Sequence, residues 1–114
     1  MSEKLTLRIR ERAIAAGGTY DYVKSIKVPA GDEWCLQHIA YENETGARGT
    51  FRRYIDRGDY NHYLAEIQAP GSAELITWDG ELRLREGDQL VIRQASCTAA
   101  DVLALYADGY KIKV

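Results

Sequence analysis

The sequence predicts an all-β domain, a jelly-roll-like β-sandwich of about eight short strands carried behind an N-terminal arm. Three observations lead there. Apolar and polar residues alternate with period two over most of the chain, as half-buried strands require. The alternating runs are punctuated by clusters of Gly, Pro and Asp with turn chemistry. The 114 residues, 46% apolar and 28% charged, suit one domain with a core that needs no metal or disulfide staple. The arm spans residues 1–18 and the sandwich residues 19–114.

Leu5, Leu7 and Ile9 alternate with Thr6, Arg8 and Arg10, a strand pattern. A helix competes, because Leu5, Ile9, Ala13 and Ala16 form a stripe that Ser2 can cap and Gly17-Gly18 can end. Periodicity leaves both open. Tyr20, Tyr22, Lys24 and Ile26 alternate with Asp21, Val23 and Ser25 up to the break at Pro29-Ala30-Gly31-Asp32. Trp34 to Asn43 follows with a phase slip: Trp34 and Leu36 share one face of a regular pleat, Ile39 and Tyr41 the other. A β-bulge near Gln37-His38 puts all four on one face. Residues 44–49 read as a loop and Thr50 to Arg57 as a strand. Gly58-Asp59 turns the chain into Tyr60 to Ile67, with Tyr63, Ala65 and Ile67 inward. After Pro70-Gly71-Ser72, the pieces Leu75 to Trp78 and Glu81 to Leu84 flank Asp79-Gly80, a hairpin signal. Leu90, Ile92 and Gln94 mark the next strand. Val102 to Val114 is one long bulged strand or a hairpin about Asp108-Gly109.

Composition and motifs narrow the function. The net charge of −2 and the short basic clusters Lys24/Lys27 and Arg52/Arg53 argue against nucleic acid. No apolar run is long enough to cross a bilayer, and the N-terminus lacks the apolar stretch of a signal peptide. Synthesis in a cytosol is expected, and with it free thiols at Cys35 and Cys97. His38 and His62 stand in no metal-ligand spacing, and no Gly-x-Ser-x-Gly elbow or phosphate loop occurs. The pairs Asp32/Glu33, Glu42/Glu44 and Asp56/Asp59 lie at loops as solvated charge. Neither a cofactor, a metal nor catalysis is expected. Arg57-Gly58-Asp59 matches an integrin-read tripeptide, but it also simply reverses the chain between two strands. Tyr54, Tyr60 and Tyr63, beside Arg57, form either a protein interface or a platform for sugar rings; the composition favours the interface.

Two segments carry a family resemblance. Val28-Pro29-Ala30-Gly31-Asp32-Glu33-Trp34-Cys35-Leu36 resembles the VPAG-x-x-W-x-L entry into the long second strand of small jelly-roll proteins of tailed bacteriophages. Leu84-Arg85-Glu86-Gly87-Asp88-Gln89-Leu90-Val91-Ile92 is similar to their late L-x-x-G-D-x-L-x-I turn and strand, and Ala100-Asp101 before a closing strand fits as well. The resemblance spans residues 20–114; the charged arm and the tyrosine-rich centre depart from it. It implies a capsid decoration or cement protein, made in the host cytoplasm and placed on the virion surface. Such proteins bind the major capsid protein as homodimers or homotrimers. The alternative is a carbohydrate- or receptor-binding module of a virion or tail. On the cement reading, the arm carrying Leu5, Leu7 and Ile9 is the segment that orders on capsid contact.

Overall fold

The computed structural model describes residues 4–45, 50–59, 61–67, 75–95 and 97–114. Its strands are β1 (Leu5–Ile14), β2 (Tyr20–Lys24), β3 (Asp32–Asn43), β4 (Phe51–Asp56), β5 (Asn61–Ile67), β6 (Ile76–Leu84), β7 (Gln89–Ala95) and β8 (Val102–Lys113). Sheet I has the order β1-β8-β3-β6 and sheet II the order β2-β7-β4-β5, with antiparallel neighbours throughout. The chain changes sheet at every connection except β4 to β5. This is the jelly roll that the alternation predicts.

Residues 5–14 are not an arm. They form the edge strand of sheet I, paired with β8 from Leu5↔Lys111 to Ile14↔Val102. Leu7 and Ile9 lie in the core. The reason is steric: their partners on the inner row of β8 are Gly109 and Ala107, and the same two residues face Leu36 and Ile39 of β3. Small residues on the middle strand leave room that large side chains on both flanks fill. The helix stripe loses because only a strand satisfies the β8 edge. Leu7 and Ile9 are therefore core residues of a paired strand and not residues of a free arm; Leu5, at the strand's start, remains exposed.

The bulge falls where the phase slip puts it. The β3 register shifts between Leu36 and His38 against both neighbours, and Trp34, Leu36, Ile39 and Tyr41 all join the core. Across the same line, β8 passes through Asp108-Gly109 and β6 through Asp79-Gly80 without turning. Both Asp-Gly pairs thus lie inside continuous strands beside the β3 irregularity, which corrects the hairpin expected at Asp79-Gly80. A Cβ on Gly109 would sit 1.9 Å from the Cys35 carbonyl oxygen, and one on Gly80 would sit 2.7 Å from the Trp78 ring. Glycine is required at both by close approach.

The sheets meet through Leu84, Leu90, Ile92, Phe51, Ile55, Leu103 and Leu105, all fully buried. Tyr41 crosses the core: its ring lies 4.7 Å from that of Phe51, and its hydroxyl donates to Gln94 Oε1 at 2.8 Å. Burial raises the Tyr41 phenol far above its ordinary range. Cys35 and Cys97 are free thiols as expected. Burial pushes Cys97 up to about 11.

The two segments that carry the phage resemblance meet in space. The Val28 N–H donates to the Asp88 carbonyl at 2.9 Å, and the Gly87 N–H donates to the Val28 carbonyl at 3.0 Å. Asp88 Oδ2 also accepts the Arg85 N–H at 2.9 Å. Their backbone and carboxylate hydrogen bonds build the junction between β2–β3 and β6–β7; they belong to the scaffold.

Candidate binding face

The outer face of sheet II gathers most of the exposed aromatic rings. Strand alternation turns Tyr20, Tyr22 and Lys24 of β2 outward, beside Ala95, Arg93 and Val91 of β7. Next to them stand Arg52, Tyr54 and Asp56 of β4, then Asn61 and Tyr63 of β5. The arrangement is a cross-strand row of phenols and cations running the width of the sheet. Tyr20 and Tyr22 are each 44% exposed and Tyr63 49%, whereas Tyr54, flanked by them, is only 8% exposed.

A register shift between Arg53 and Tyr54 sets this face. It inserts Leu64, which packs against the core, and turns Tyr63 outward opposite Tyr54. This corrects the inward Tyr63 expected from simple alternation; the side chains of Ala65 and Ile67 lie outside the described residues. The unbroken alternation of β4 against β7 places Arg53, between Phe51 and Ile55, on the inner side, buried, with its guanidinium 5.6 Å from the centre of the Trp78 ring.

Cations cover several of the rings. The Arg93 guanidinium lies 4.2 Å from the Tyr20 centroid, Arg52 5.3 Å from that of Tyr63, and the Lys24 ammonium 5.6 Å from that of Tyr22. Each contact contributes about 0.5–1 kcal/mol at an exposed site and holds a mobile side chain against a ring. Tyr54 and Tyr63 are 5.1 Å apart and tilted by 51°. Burial, with the neighbouring Tyr22 and Tyr63 phenols, raises the Tyr54 phenol. Tyr54 therefore stays neutral and anchors the row. Among the described residues, Lys24 and Arg93 have no carboxylate partner, while Asp56 adds a carboxylate to the same outward row.

Of the residues singled out in the sequence, the structure brings Tyr54 and Tyr63 together here. Tyr60 lies outside the described residues. Arg57 lies elsewhere: its guanidinium binds Asp88 Oδ2 at 2.5 Å, with Asp88 buried. That bond ties Arg57 of the Arg57-Gly58-Asp59 tripeptide to the scaffold. Tyr20, Tyr22 and Arg93 were missed as site residues. The i, i+2 spacing of Tyr20 and Tyr22 places them on one face, but only the β2–β7–β4 order puts that face beside Tyr54.

No family model matches this sequence, and no curated protein matches it. Solved structures do. A subunit of the disulfide-linked pili of Bacillus endospore appendages aligns with a TM-score of 0.58 at 11% identity, covering 100% of this chain and 91% of that one. A CBM4 carbohydrate-binding module aligns at 0.42 with 12% identity over 91% and 70%. A capsid chain of the extra small virus of the prawn Macrobrachium rosenbergii aligns at 0.30 with 11% identity over 96% and 79%. Structural, virion and carbohydrate-binding β-sandwiches thus occur among the neighbours. At these identities the pilus likeness speaks to the fold, and none of the three speaks to function.

Proposed function

We propose that this chain is a non-enzymatic binding subunit of a tailed-phage virion, a decoration protein that docks on the major capsid protein through the outer face of sheet II. The observation that supports docking on a protein is the state of the rings. A sugar platform needs open, nearly coplanar ring faces. Here Tyr20, Tyr22 and Tyr63 each carry a cation over one face, and Tyr63 is tilted against Tyr54. Tyrosine and arginine in alternation, with a buried central anchor, are what protein interfaces concentrate. The phage resemblance supplies the partner.

The mechanism is physical. A ligand that binds the assembled shell in preference to free subunits stabilises the shell by mass action. Four strands of five to seven residues span a face of about 20 Å by 20 Å, roughly half of one side of a standard interface. One copy alone would bind weakly, so a homodimer or homotrimer that engages several sites at once fits the size of the face.

The test is co-sedimentation of the purified protein with heads of the phage whose genome encodes it. Saturable binding to intact heads, weakened at least about tenfold by Tyr22→Ala or Arg93→Ala, is the expected result. Binding unaffected by both substitutions would reject this face. No head binding, with specific hits on a glycan array lost in Tyr22→Ala, would replace the proposal by a carbohydrate-binding module.

A further inference from the structure

The strand that was expected to reach out to a partner is used at home, and its position creates a different site. β1 ends sheet I, so among the described residues the side of its ten residues away from β8 is paired with no strand. Every second N–H and C=O along that side is open to a partner strand. Beneath this edge lies a cleft of about 360 Å³ lined by Leu7, Ile9, Ile26, Pro29 and Trp34, with Glu11, Asp32, Lys111 and two of the β1 arginines as its charged lining. Its wall at Ile26 is 61% exposed, and Leu5, at the start of β1, is 41% exposed. Ile26 stands where the chain leaves β2 for β3, so cleft and open edge run side by side. The outward row of β1 is a line of cations, Arg8, Arg10 and Arg12. Arg10 is held by Asp108 and Arg12 by Glu44; Arg8 has no carboxylate partner among the described residues.

We propose that the free edge of β1, with the cleft beneath it, is a docking site for an extended segment of another protein. That segment carries apolar residues at alternate positions and acidic residues between them. It would add to β1 as a further strand, its apolar side chains filling the cleft over Leu7, Ile9 and Ile26 and its carboxylates lying beside the arginines. Period-two alternation is what an added strand imposes, and the two faces of β1 dictate the two chemistries. A second copy of this chain does not fit. Antiparallel pairing of β1 with itself about Arg10 sets Arg10 against Arg10 and Arg8 against Arg12, and a shift by two residues still opposes arginines; like charges directly opposite one another destabilise a pair. This site is separate from the outer face of sheet II, and its test stands apart from head binding.

The probe is a capped seven-residue peptide alternating Glu with Val or Leu, compared with its Lys-for-Glu counterpart and with a scrambled sequence that breaks the alternation. Binding is followed by NMR shifts and by hydrogen exchange of the backbone amides in the full chain. The Glu peptide should saturate and slow exchange at alternate β1 amides, and it should bind at least about tenfold more tightly than the Lys peptide. Ile26→Asp, at an exposed position that leaves the fold intact, should abolish binding. Arg8→Glu should weaken the Glu peptide and strengthen the Lys peptide. Equal binding of all three peptides, no binding of the Glu peptide at millimolar concentration, or protection away from β1 would overturn the proposal. So would a concentration-dependent dimer that protects β1 in the absence of peptide, which would make a second copy the occupant.

Discussion

Ile9→Ala separates a strand that belongs to the core from one that merely lies on the surface. Ile9 is 6% exposed and sits opposite Ala107, beyond which lies Ile39. Truncation removes three carbons, worth about 2.4 kcal/mol at 0.8 kcal/mol each. In a closed core a cavity penalty would raise the total toward 4 or 5 kcal/mol. Here the vacated space opens into the cleft that Ile9 already lines, so water and the flanking side chains can enter and the cavity penalty shrinks. The expected loss is about 2–3 kcal/mol, the low end for isoleucine. In a domain of 114 residues this lowers Tm by roughly 8–12 °C. Urea and thermal unfolding, followed by circular dichroism, measure it. Deleting residues 1–14 should remove most of the domain's stability, since Leu7 and Ile9 leave together with the β8 pairing. A loss below about 0.5 kcal/mol for Ile9→Ala, or a cooperatively folded deletion, would refute the packing of β1.

Other perturbations test the core and its titrating groups. Trp34→Ala, at a residue 3% exposed, should cost about 3–5 kcal/mol in denaturant unfolding. Tyr41→Phe leaves Gln94 Oε1 without that donor and should cost about 1–3 kcal/mol. Ala100 adopts φ 75°, a left-handed backbone, so Ala100→Gly should raise stability by about 0.5–1 kcal/mol. The Cys97 thiol is raised from 9.0 to about 11 in the folded chain. The unfolded chain therefore loses its proton first, and stability present below pH 9 should fall as pH rises toward 11. Cys97→Ala should flatten the first part of that fall, leaving the raised Tyr41 phenol to act above pH 10. In unfolded protein kept from air, mass spectrometry should find both thiols alkylated without prior reduction.

What the sequence revealed and what it hid follow from where each signal lies. The β3 bulge was legible because four large apolar residues, Trp34, Leu36, Ile39 and Tyr41, cannot leave the core, so the backbone had to absorb the extra residue. The Asp-Gly pairs that face this bulge from β6 and β8 were misread at Asp79-Gly80 and left open at Asp108-Gly109. Glycine serves both tight turns and bulges, and only the partner strand decides between them. β1 was ambiguous because its outward row is arginine-rich and its inward row finds Gly109 and Ala107 about a hundred residues later. The binding face was half legible: Tyr54 and Tyr63 drew attention by composition, whereas Tyr20, Tyr22 and Arg93 join them only through the β2-β7-β4 order. Arg57 looked like part of that surface until its ion pair with Asp88 fixed it to the scaffold.

The proposed decoration role is tested most directly by an electron-microscopy reconstruction of the particles with which this chain co-purifies. Decoration predicts jelly-roll density on a phage head at symmetric sites, with Tyr20, Tyr22 and Tyr63 of sheet II against the major capsid protein. Density on the tail, no density on the particle, or a head-bound domain with that face turned to solvent would contradict it.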